Sequence, residues 1–129
     1  MFHPKYTSFL ISLNVLHSIY NSQYYISFLE SCVLLSSIIY HHNLIPNFRY
    51  YDIVITNSAI LHHTYLYSYH ISYEFYKLIP AFFYILAIGS YISGRIHNCN
   101  IYHGYLHIYG VIANILLIRC ILNDLVVSN

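Results

Sequence analysis

A chain of 129 residues with 58% hydrophobic and only 7% charged side chains departs from the soluble average of about 25% charged and has the make-up of a membrane protein. Five Lys and Arg against four Asp and Glu leave neither a basic face for nucleic acid nor an acidic tail for a basic partner, so nucleic-acid binding is excluded. The three cysteines, Cys32, Cys99 and Cys120, are an odd set, two of them inside apolar runs, and read as small buried hydrophobes and not as a disulfide framework.

Crossing a bilayer takes about 17 to 25 apolar residues, and turn signals divide this chain into five such candidates. The expectation is an all-α fold: a single transmembrane domain over residues 1–129, a polytopic, multi-pass helix bundle of about five helices. Helix one is expected over 6–20, ended by Asn21, Ser22 and Gln23. No basic segment followed by a small-residue cleavage site opens the chain, so helix one reads as a retained first span, with a position in the interface left open by its shortness. Helix two is expected over 24–42, broken by NLIPN with Pro46, and helix three over 51–70. Helix four is expected over 75–92, with a kink at Pro80. The polar stretch SGRIHNCN, residues 93–100, reads as a loop before helix five over 101–122. Lys5, Arg49 and Arg95 fall on one side of this layout and Lys77 and Arg119 on the other; the first side is assigned to the cytoplasm. The 17 tyrosines cluster at span ends, as in the aromatic belts of membrane interfaces.

Crossing parity then brings distant residues together. Helix two ends on the side where helix three begins, helix three crosses away, helix four crosses back, and helix five starts on that same side. His41, Asp52, His103 and His107 therefore share one leaflet. Glu30, Ser37 and His41 are spaced i, i+7, i+11, one face of a helix with 3.6 residues per turn. His103 and His107 are spaced i, i+4, from which two imidazoles reach a single metal ion. Polar groups inside a membrane are costly and usually face a cavity. Three histidines with an open fourth position are a common catalytic zinc set, because water held there becomes acidic enough to act as a nucleophile. In that reading Zn2+ is held by His41, His103 and His107, Asp52 is the general base, and Ser37 steadies the water or a developing oxyanion. Membrane lipid is the partner, its amide or ester bond the substrate.

The remaining polar residues have plainer readings. His62 and His63 lie mid-span in helix three, where haem would want a second histidine at equal depth; none is placed there, so both read as interhelical hydrogen bonders. Glu30 reads as a buried acid bonded to another helix, and Glu74 with Lys77 as an interfacial pair.

The segments SSIIYHHNLIPNFRYYD and YHGYLHIYG resemble the signature of the CREST-type membrane hydrolase superfamily, which contains the alkaline ceramidases, the progestin and adiponectin receptors and the hemolysin III family. Ser37 and His41 match the family's Ser/His motif, Asp52 its acid at the start of the third helix, and His103 with His107 its last HxxxH. The resemblance implies a zinc-binding fold with lipid amidase (ceramidase-like) or related hydrolase activity. This chain has about five helices where the family has seven; loss of one two-helix hairpin keeps the crossing parity. Leu106 stands where an aromatic is often found. Ser36 competes for the role of Ser37, and His42 for a place at the metal. Two other functions fit the same residues: a non-catalytic, zinc-stabilised receptor or scaffold, and a small structural membrane protein without metal.

Overall fold

The computed structural model describes residues 3–70, 78–97 and 99–127, and among them there are helices and no strand. Helix ends follow from local chemistry. His3 precedes the first turn and its Nδ1 accepts the Lys5 N–H at 3.3 Å, with Pro4 opening α1 (Pro4–Thr7). A 3₁₀ turn, Ser8–Leu10, leads into α2 (Ile11–Tyr20). The single helix expected over 6–20 is thus a helical run with a tightened turn inside it. Hydroxyls of Ser8 and Ser12 donate to the carbonyls of Lys5 and Phe9 at 3.2 and 2.6 Å, competing with the regular backbone ladder at that point. The helix α2 and the helix α3 (Tyr24–His41) stop in the same way. Ser22 and Asn43 take left-handed φ values of 58° and 53°. The next amides, of Gln23 and Leu44, then donate to Ser18 O and Ile39 O at 2.8 and 3.0 Å, closing each helix in a Schellman motif.

The helix α4 (Arg49–His70) carries Asp52 in its first turn. The helix expected from Phe75 is described from Leu78, as α5 (Leu78–His97), so Pro80 stands in its first described turn and the Glu74–Lys77 pair lies outside the described residues. At its other end α5 continues through Gly94 to His97, and α6 (Asn100–Val127) outruns the expected 101–122. The stretch 93–100 is mostly helix because it holds no proline, and polar residues suit a helix end, where the last carbonyls meet water. Gly94 serves there as a contact point: a Cβ would lie 3.3 Å from Tyr102 Cβ and 3.5 Å from Cys99 O. Gly94→Val is therefore expected to lever the start of α6, with His103 on it, away from α5. A drop in metal affinity of about tenfold, with unchanged helix content by circular dichroism, checks this.

The helix α6 is the centre of the bundle and packs along α5, with α2 and α4 on its other sides, while α2 pairs with α3 and α3 with α4. Its Val111 joins Ile11, Val33 and Ala59 in one apolar cluster; Leu117, Ile118 and Ile121 join Ile26 in another. By contrast α4 leans on α3 and α6 and, among the described residues, hardly touches α5. The interior is also polar: Asn14, Glu30, Asp52, His63 and Asn114 are buried, while Leu16, Phe28, Leu61 and Ile85 are each more than 60% exposed. Buried polar groups thus sit beside the two apolar clusters, while large apolar side chains also face outward. Among the described residues two stretches, Leu78–His97 and Ile101–Asp124, are long and apolar enough to cross a membrane, with mean hydropathies of 1.4 and 1.8.

Candidate metal centre

His41 sits in the last turn of α3, and His103 and His107 sit one turn apart near the start of α6. Their ligating nitrogens all lie within 4.8 Å of one another, so the three could hold a metal ion. The rings meet edge to face or tilted, with centroids 4.8 Å apart for His41–His103, 5.5 Å for His41–His107 and 5.1 Å for His103–His107. Nitrogens bound to one ion at about 2.1 Å stand roughly 3.4 Å apart, a difference that side-chain rotations cover. The donor set fits such an ion on a second ground. Nε2 of His41 and Nε2 of His107 are buried without a hydrogen-bond partner, which is costly for a polar atom in an apolar interior and is relieved by coordination. His42 is not part of the cluster: it is exposed, its Nε2 reaches Lys5 O at 3.3 Å, and its ring packs on Phe9.

Asp52 and both serines are at the same end of the bundle. Asp52 is buried, and its Oδ1 accepts from Ser36 Oγ at 2.8 Å and from Ser37 Oγ at 3.0 Å. Ser36 and Ser37 thus meet at one carboxylate oxygen, and the Ser36 hydroxyl also has Val33 O within reach at 3.1 Å. Ser37, expected beside a water or an oxyanion, donates here to Asp52 Oδ1. A cavity of roughly 500 Å³ runs along the bundle and is lined by Ser37, Asp52, His103 and His107.

The same cavity extends to a second polar cluster, about 16 Å along α3 from His41 at 1.5 Å per residue. There Glu30 Oε1 accepts from Asn114 Nδ2 at 2.8 Å and Oε2 from Asn14 Nδ2 at 3.0 Å. Tyr84 Oη donates to Asn114 Oδ1, and His63 Nε2 lies 3.4 Å from Glu30 Oε1. One residue from each of α2, α3, α4, α5 and α6 meets here. Sequence reading placed Glu30 in a bond to another helix but missed Asn14, Asn114 and Tyr84; an Asn within each of two apolar runs was the signal that could have found them. It read His62 and His63 as interhelical hydrogen bonders, whereas Nε2 of each is buried without a hydrogen-bond partner. His62 does not join this cluster: its Nε2 has no hydrogen-bond partner and its ring stands edge-on to Tyr25, centroids 4.8 Å apart. Cys32, Cys99 and Cys120 form no disulfide. No family model, no characterised protein and no solved structure matches this chain.

Proposed function

We propose that the chain is a multi-pass integral membrane protein of five spans and a zinc-dependent intramembrane hydrolase of a lipid amide or ester, a shortened relative of the CREST-type hydrolases. One observation carries the reading: three histidines from two helices converge, and two of them, His103 and His107, line the same cavity as a buried, doubly hydrogen-bonded carboxylate, Asp52. Large apolar side chains on the exterior and several buried polar groups within support the membrane setting. The cavity favours catalysis over a purely structural zinc, since a scaffold would have that space packed with side chains.

His41, His103 and His107 would hold the ion, which supplies a Lewis acid and a water acidic enough to lose a proton near neutrality. The chain's own residues do the rest. With both serine bonds on Oδ1, Oδ2 of Asp52 is left to take a proton and later return it to a leaving amine or alcohol. Ser36 and Ser37 fix the rotation of that carboxylate, so its free oxygen keeps one direction through the cycle. The apolar parts of the cavity wall, among them Ile53, Ile60, Ala87 and Val111, suit an acyl chain.

The test is release of fatty acid from ceramide-type amides and from acyl esters by zinc-loaded protein in detergent, followed by mass spectrometry. Asp52→Asn should lower kcat about 10²- to 10⁴-fold with zinc content unchanged. Zinc-loaded wild type that releases no acid from any of these lipids would rule the hydrolase out.

A further inference from the structure

We infer that the cluster around Glu30 is a binding site for a primary alkylammonium ion, received by acceptors from three helices at the end of the cavity away from the histidines. Glu30, Asn14 and His63 are 3%, 1% and 2% exposed, yet their hydrogen bonding is incomplete. Each Glu30 oxygen accepts a single amide N–H and has room for another donor. Oδ1 of Asn14 is buried with no partner, and so is Nε2 of His63, which stands within ion-pair reach of Glu30 but outside hydrogen-bond geometry. No Lys or Arg among the described residues forms an ion pair with Glu30. All three residues line the cavity, and the two unmet atoms, themselves buried, come within reach of a ligand there by side-chain rotation.

The chemistry of those acceptors selects the ligand. A carboxylate carries one negative charge, and a monovalent cation neutralises it, whereas a divalent ion leaves a net charge in a low-dielectric interior. Alkali ions prefer all-oxygen shells, but one acceptor here is an imidazole nitrogen, which suits an N–H donor. A primary ammonium presents three N–H donors to the three kinds of acceptor on α2, α3 and α4. Its alkyl chain would lie along Ile11, Val33 and Ala59, which line the adjoining wall. A quaternary ammonium carries the same charge with no N–H to give. Coming about 16 Å from His41, this site stands whether or not the histidines hold zinc.

The experiment compares n-octylammonium, n-octyltrimethylammonium and n-octanol as ligands of the full chain in detergent, read as a saturable rise in Tm. Octylammonium should bind at least tenfold more tightly than the other two, and Glu30→Gln should remove that preference. Equal response to the trimethyl compound or to octanol would overturn the proposal, as would a Glu30→Gln variant that keeps the preference. If Glu30→Gln does not fold, the three-ligand comparison on wild type decides alone. Competition then separates the sources: displacement by phosphatidylethanolamine but not phosphatidylcholine nanodiscs supports the amine of a bilayer lipid, and displacement by soluble alkylamines alone supports a free amine. Zinc content is measured alongside, so failure here is distinguishable from failure of the metal centre.

Discussion

Replacing both His103 and His107 by alanine is expected to take the zinc content of the detergent-purified protein from about one ion per chain to below about 0.1. The double substitution removes two of three ligands from the cluster whose nitrogens lie within 4.8 Å of one another, and His41 alone has no chelate partner left. Transition-ion sites depend steeply on ligand number, because each further ligand binds without new loss of translational freedom. His42→Ala is the matched control. It deletes an imidazole adjacent in sequence to His41, but one that is exposed and turned toward Lys5 O, so zinc content should not change. Metal analysis by mass spectrometry and a thermal melt with and without chelator read out both. The wild type should lose stability on chelation, since an ion that binds only the folded state stabilises it by mass action, and the double variant should be indifferent to the chelator. Wild type that retains no metal after zinc loading, or a double variant that keeps a full equivalent, defeats the metal centre and with it the hydrolase.

Which parts of this architecture were legible depends on whether the information is local. The ends of α3 were legible because they rest on Ser22 and Asn43, polar residues that enter the left-handed region readily. The histidine cluster was legible for a different reason: crossing parity depends on the number of helices and not on their packing, and spacing of i, i+4 sets His103 and His107 on one face. The extent of α5 was hidden, since polar residues are equally at home in a loop and in the last turn of a helix. The rotation of each helix about its own axis was hidden too. It decides that Ser36 and Ser37 both face Asp52, that His63 faces Glu30 while His62 meets Tyr25, and that Asn14 and Asn114 close on one carboxylate from two sides. Periodicity within a helix gives a stripe, as with Glu30, Ser37 and His41, but not the direction in which that stripe points.

Glu30→Ala is expected to be the most destabilising single substitution in the bundle. It removes the acceptor of two buried amide donors, Asn14 Nδ2 and Asn114 Nδ2, and opens a void at the junction of five helices. An orphaned buried donor costs about 1–3 kcal/mol, while interhelical hydrogen bonds in membranes average about 0.6 kcal/mol with a maximum near 1.7. Two of them together with the void come to about 2–4 kcal/mol, enough for a drop of roughly 10 °C in Tm for a chain of this length. Asn114→Ala leaves Glu30 its bond to Asn14 but takes the acceptor from Tyr84 Oη, and should cost about 1–3 kcal/mol. A Glu30→Ala melt within 2 °C of wild type would show that the cluster does not hold the helices together. The converse substitution separates structure from binding. Replacing the whole hydrogen-bonded set at once, as in Asn14→Leu/Glu30→Met/Tyr84→Phe/Asn114→Leu, leaves no orphaned hydrogen-bond partner, and apolar replacements of buried polar networks are often neutral or stabilising. That quadruple variant is expected to melt at or above the wild-type temperature and to lose its preference for octylammonium. Stability alone would then favour an apolar junction, and the carboxylate at the meeting point of five helices would be explained by what it binds.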